Sequence, residues 1–167
     1  MTGRAPEGIL PGMVGKEIGE RHFIEDIALF CEQMGLPRMA GRVLGVLLIS
    51  DPPAQSLNDI CDSLQASKSS VSTMARLLVG EGLIEPAPCQ VARRDYFRFK
   101  KGGWLEFMRR RMETMAGLHG IADRGLNLLE GKDESLKERL EEAHAVFEFV
   151  DTEFRGWLER MRQRGRK

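Results

Sequence analysis

Residues 67–80 carry hydroxyls and cations in a repeating order. Ser69, Ser72, Thr73 and Arg76 fall at i, i+3, i+4 and i+7, Lys68 and Ser70 stand at the start of the run, and no acid follows until Glu81. On a helix those positions share one face. Short hydroxyls donate to phosphate oxygens or base edges without bulk, and an arginine grips guanine bidentately. The chemistry indicated is recognition of double-stranded DNA from the major groove. A face needing only solvation would more often use Glu and Lys, which hold a helix better than serine does.

Catalysis finds no comparable set. No phosphate loop, HExxH, GxSxG or Cys–His–Asp arrangement can be assembled from the chain. His22, His119 and His144 are predicted on separate helices without metal-ligand spacing, so neither a metal nor a cofactor is expected and an enzyme is not. Cys31, Cys61 and Cys89 are odd in number, with no CxxC, and make neither a disulfide framework nor a zinc site. Cys89 remains a thiol that oxidation would reach if it is exposed.

The DNA-facing run needs a frame, and the periodicities supply one. Leu57, Ile60, Cys61 and Leu64 form an inward stripe on a short helix that Ser56 caps, with Asp59 three residues on. Gln65-Ala66 connects it to a second helix, capped by Ser67, whose inward stripe is Val71, Met74, Ala75 and Leu78. Two short amphipathic helices joined so closely make a helix-turn-helix. Leu83-Ile84-Glu85-Pro86 and Tyr96-Phe97-Arg98-Phe99 read as the strands of a hairpin, with Pro86 and Pro88 placing the first at an edge. Arg93 and Arg94 lie at its projecting tip, within reach of phosphates or the minor groove.

Upstream, a helix over about 17–34 carries Phe23, Ile27, Phe30 and Met34, a stripe widened by Ile24, Ala28 and Cys31. The next helix (about 37–50) is apolar nearly all round and should form the centre of a small domain. Gly41 and Gly45 let a neighbouring helix approach it closely. Downstream, Leu105, Met108, Met112, Met115, His119, Ala122, Leu126 and Leu129 alternate by three and four, as do Leu136, Leu140, Ala143, Phe147, Val150, Phe154, Trp157 and Met161. A mean spacing of 3.5 is a knobs-into-holes seam. A second copy of the chain is the expected partner, the alternative being the helix over 17–34.

The expected fold is mainly α with a small β-wing: a winged helix-turn-helix domain with long N- and C-terminal dimerisation helices. Residues 1–16, rich in Gly and Pro, are expected as a flexible arm, 17–36 as the N-terminal dimerisation helix, 37–101 as the DNA-binding domain, and 102–167 as the C-terminal helical dimerisation region.

Composition agrees. With 167 residues, 42% of them apolar, the chain supports one domain, or one domain with an appendage. Its 25 basic and 25 acidic residues exclude a histone-like protein and an acidic disordered tail. The balance is uneven along the chain, however: residues 38–101 hold nine basic and six acidic side chains, whereas 1–37 hold three and six. Apolar runs such as Val46-Leu47-Leu48-Ile49 are far too short to span a bilayer, so no membrane partner and a cytoplasmic location are expected.

The stretch from Gly41 to Phe99 resembles the MarR-type winged-helix regulators, and in particular their GbsR-like branch. Gly41-Arg42-Val43-Leu44-Gly45-Val46-Leu47-Leu48, Ser50-Asp51-Pro52, Leu57-Asn58-Asp59-Ile60, Ser67-Lys68-Ser69-Ser70-Val71-Ser72, Leu77, Gly82-Leu83-Ile84 and Arg93-Arg94-Asp95-Tyr96-Phe97 carry the likeness. It departs at the wing tip, where many relatives have Gly and this chain has Ala92. The resemblance implies a homodimer on a palindromic operator, repression or less often activation of nearby genes, and in some relatives relief by a small-molecule effector such as a choline-like amine. The implied effector pocket lies near Phe23, Trp104, Phe107 and Met108, which otherwise read as ordinary core. A rival reading is a non-catalytic winged-helix scaffold whose cationic face binds an acidic protein partner.

Overall fold

A computed structural model of the chain describes residues 11–88 and 95–164, in two units that meet between Gly103 and Trp104. The first comprises α1 (Pro11–Gln33), α2 (Arg38–Ile49), β1 (Gln55–Ser56), α3 (Leu57–Leu64), α4 (Lys68–Gly80), β2 (Ile84–Ala87) and β3 (Tyr96–Phe99). The second is a pair of long helices, α5 (Gly103–Leu128), which starts on the last residue of the first unit, and α6 (Glu134–Arg164). The fold is mainly helical with a small antiparallel sheet, as the patterning requires.

Helix α2 is the hub of the first unit. Val43 and Leu44 are wholly buried, with Val46 and Leu47 nearly so, and each such side chain contributes about 1.5–3 kcal/mol by leaving water. Gly41 and Gly45 do bring a helix close. A Cβ at Gly41 would stand 2.5 Å from the Cα of Ala28 and 2.9 Å from the Cβ of Cys31, and one at Gly45 would stand 2.9 Å from the Cα of Ile24. Contact this tight decides which face of α1 turns inward. Ala28 and Cys31 are buried, whereas Phe23 and Phe30 of the expected stripe are 37% and 45% exposed, because bulky rings do not fit over a glycine ridge. Arg38 and Arg42 of α2 reach back to Glu25 of α1, at 2.9 and 2.6 Å, and these guanidinium groups hold its carboxyl below the usual range.

Helix α1 begins at Pro11 rather than near Glu17, so part of the expected arm is helical. Proline is suited to a first helical turn, where its missing N–H has no partner to lose. Once a helix is nucleated, each added residue closes a further backbone hydrogen bond.

Ser56 joins helix to sheet. Its hydroxyl accepts from the Asp59 N–H at 3.1 Å, and its own N–H donates to the Asp59 carboxylate at 3.1 Å, a complete capping box at the start of α3. It also lies in β1, opposite Tyr96 of β3. The sheet order is β1-β3-β2, with Ile84 opposite Phe99 and Ala87 opposite Tyr96. The expected edge strand β2 is therefore at the edge, while β1 is a third strand the patterning did not predict. Gln65, at φ 48°, makes the left-handed turn between α3 and α4.

In the second unit Arg109 and Arg110 close on Glu106 at 2.8 and 2.9 Å, and Arg109 also pairs with Glu113. The hydrogen bonds from Arg109 and Arg110 pull the Glu106 carboxyl down to about 2. A carboxylate depressed on folding stabilises above its unfolded pKa, and that contribution is lost as pH falls towards the folded value. Glu106→Gln should therefore lower the urea midpoint at about pH 6, with the gap closing between about pH 4 and 2. A gap independent of pH would assign the loss to packing.

The seam positions of α5 and α6 are mostly half-buried, Ala122 being buried and Met115 and Leu136 exposed. The two helices touch within one chain, since a Cβ at Gly125 would lie 2.8 Å from Leu140 Cδ1. Outside the seam, Ile121, Leu128, Val146 and Phe149 are each more than half exposed.

Candidate nucleic-acid interface

The inward stripe of α4 sets the direction of its outward row. Val71, Ala75 and Leu78 are wholly buried, which turns Lys68, Ser69, Thr73 and Arg76 to solvent and leaves Ser70 and Ser72 half-buried. The helix starts on a cap, the Ser67 hydroxyl accepting from the Ser70 N–H at 3.3 Å. Its N-terminal turn thus presents amide dipoles that favour an anion, and holds no acid to oppose one.

Hydroxyl bonding separates the row into used and available donors. Thr73 donates to the Ser69 carbonyl at 2.9 Å, so its oxygen is left chiefly as an acceptor. The Ser67 and Ser69 hydroxyls lie 3.2 Å apart, one donating to the other. Lys68 and Arg76 form no ion pair with any described residue. Their charges are accordingly uncompensated within the described fold, which is what a phosphate or base contact requires.

Among the described residues of the wing strands, one cation is already engaged. Arg98 donates to Glu85 on the neighbouring strand at 2.8 Å, so its charge is already matched. Arg93, Arg94, Ala92 and Cys89 lie outside the described residues. Of the effector candidates, Phe23 belongs to the first unit and is partly exposed; Trp104, Phe107 and Met108 belong to the second. Phe107 is buried, and one face of its ring already carries the Arg111 guanidinium, 4.9 Å from the centroid. Elsewhere, burial pushes the Cys31 thiol up, which makes it inert rather than reactive.

One cluster escaped the patterning. His119 and His144 stand with their ring centroids 4.2 Å apart, and Asp123 lies between them. His119, a seam residue by its spacing, has a buried Nδ1 without a hydrogen-bond partner among the described residues. A signal did exist: His119 and His144 sit twelve and thirteen residues either side of Gly131, the turn glycine. Positions equidistant from the turn of a helical hairpin come together.

A winged helix-turn-helix with an acid-free recognition helix defines a DNA-binding protein, and the comparisons give its family. Residues 34–95 match the MarR family profile, and residues 102–164 match that of MmpR5-like MarR family transcriptional regulators. The chain is 34% identical over 151 residues to the HTH-type transcriptional regulator MmpR5 of Mycobacterium tuberculosis, covering 90% of this chain and 92% of that one. It is 26% identical over 92 residues to the HTH-type transcriptional repressor OpcR of Bacillus subtilis, spanning 55% of this chain and 49% of OpcR. A crystal structure of a transcriptional regulator superposes with a TM-score of 0.73 at 33% identity, covering 87% of this chain and 99% of that one. The chain belongs to the MarR family of winged-helix transcriptional regulators. It is a DNA-binding regulator and not an enzyme. No helix among the described residues is long and apolar enough to cross a membrane.

Proposed function

We propose that the chain is a homodimeric repressor that binds a palindromic operator, with α4 of each copy in the major groove. Lys68, Ser69, Ser70, Ser72, Thr73 and Arg76 make the groove contacts, and Arg93 and Arg94 of each wing reach the flanking backbone or minor groove. The observation that carries this reading is the exposed α4 row, where two cations without ion pairs accompany hydroxyls and no acid. Repression follows the name of OpcR, and the DNA-binding half is read as GbsR-like on its motifs, joined to long helices of MmpR5-like type. A small-molecule effector relieves DNA binding, with Trp104, Phe107 and Met108 of the second unit as its candidate contacts.

Selecting bound duplexes from a random pool tests the DNA reading. Recovery of an inverted repeat with half-sites about 34 Å apart supports it; retention of no duplex at low salt sinks it. Repeating the selection with quaternary amines present tests the effector.

The exposed apolar side chains of the second unit support the dimer. Ile121, at 55% exposure, and Phe149, at 67%, contribute little to the fold of one chain but would be costly to leave in water. Ile121→Glu with Phe149→Glu should sediment as single chains with unchanged helix content. A dimer of wild-type mass would place the interface elsewhere.

A further inference from the structure

We propose that His119, Asp123 and His144 form a divalent transition-metal site, with Zn²⁺ the ion it suits best. The site lies within the second unit and does not depend on the DNA-binding reading. His119 and Asp123 occupy successive turns of α5, and α6 delivers His144 against them. His119 Nε2 lies 3.5 Å and His144 Nε2 2.8 Å from the two Asp123 oxygens, and one ligand atom from each residue falls within 4.8 Å of the others. Ligand atoms around a tetrahedral zinc at about 2.0–2.1 Å stand roughly 3.3 Å apart. The three groups are thus near coordinating distance before any ion is present.

The protein gives these groups little other employment. Neither His119 nitrogen has a good hydrogen bond: 3.5 Å is long for N–H···O, and Nδ1 is buried with no partner among the described residues. An ion bound at Nε2 would replace that long contact to Asp123 with a coordinate bond. Among the described residues, Asp123 has the two imidazoles as its only ion-pair partners, so no cation competes for its carboxylate. His144 Nδ1 faces Glu148 at 4.0 Å. When Nε2 gives its lone pair to a metal, the ring proton resides on Nδ1, where the Glu148 carboxylate is a nearby negative charge rather than a hydrogen-bond partner.

Ligand chemistry selects the ion. Two imidazoles and a carboxylate without a thiolate suit Zn²⁺, Co²⁺ or Ni²⁺ rather than Cu⁺, and oxygen-seeking Mg²⁺ and Ca²⁺ find a single carboxylate. Three protein ligands leave an open position for water. The rings are about a quarter to a third exposed, which gives an ion access from solvent. A bound ion would join α5 to α6 through their side chains.

The test titrates the full-length protein with Zn²⁺ against a chromophoric chelator, and records the visible absorption of Co²⁺ added in its place. One ion per chain is expected, with an intense low-coordinate Co²⁺ spectrum that Zn²⁺ abolishes. Asp123→Asn and His144→Gln should each weaken binding at least tenfold, whereas His22→Gln, on the first unit, should not. Zn²⁺ should also raise the thermal midpoint of the wild type and leave that of His144→Gln unmoved. Should His144→Gln fail to fold, the near-isosteric Asp123→Asn and the wild-type Co²⁺ spectrum decide alone. Binding no tighter than in Asp123→Asn, or a Co²⁺ spectrum unchanged from the aqueous ion, overturns the proposal.

Discussion

Replacing Gly41 with valine is expected to lower stability by about 3 kcal/mol or more. On an open helix surface, the loss of glycine gains up to about 1 kcal/mol in helix propensity. Gly41 reverses the sign, because its missing Cβ would lie 2.5 Å from the backbone of Ala28. Backbone cannot rotate away as a side-chain tip does, so α1 must lift off α2. That movement would expose Ala28 and Cys31, which are buried at this contact, and unseat Glu25 from Arg38 and Arg42. Gly19→Ala provides the contrast, since nothing stands within 4 Å of a Cβ there, and it should stabilise slightly. For a chain of this size the valine variant should melt roughly 10 °C lower. Equal midpoints for Gly41→Val and the wild type would show that the two helices do not pack as described.

Replacing Arg76 with alanine should cost about 1–3 kcal/mol in binding to the selected operator, roughly 5–150-fold in affinity. The residue has no ion pair within the described fold, so its removal leaves no orphaned partner and little change in stability. The loss reads the interface rather than the scaffold. Arg94→Ala, in the segment proposed to contact the flanking backbone, should instead weaken binding to every sequence alike and flatten the salt dependence. Equal losses on operator and scrambled DNA for Arg76→Ala would move that residue from base to phosphate contact.

The parts legible in the sequence were those set by neighbours within a few turns. Ser56 with Asp59, the stripe of Val71, Ala75 and Leu78, and the outward row they imply are local relations, and each has the expected geometry. Gly41 and Gly45 were legible too, because two glycines one turn apart in an apolar helix have few other uses. What depended on distant pairing was not. The two-residue strand β1 has no pattern of its own and exists only because β3, some forty residues on, offers an open edge. Helix α1 was misread in detail for a related reason. Its largest rings looked like its inward face, but the glycine ridge it meets admits only smaller side chains. The His119–Asp123–His144 cluster needed the register of the α5–α6 hairpin, which the heptad spacing of either helix alone does not contain.

Sedimentation of the purified protein with a fluorescent operator duplex at low and moderate salt tests the central claim most directly. Two chains per duplex, with affinity falling steeply as salt rises, are predicted for paired recognition helices on a symmetric site. A species that stays a single chain and leaves duplexes of every sequence unbound at low ionic strength would contradict it.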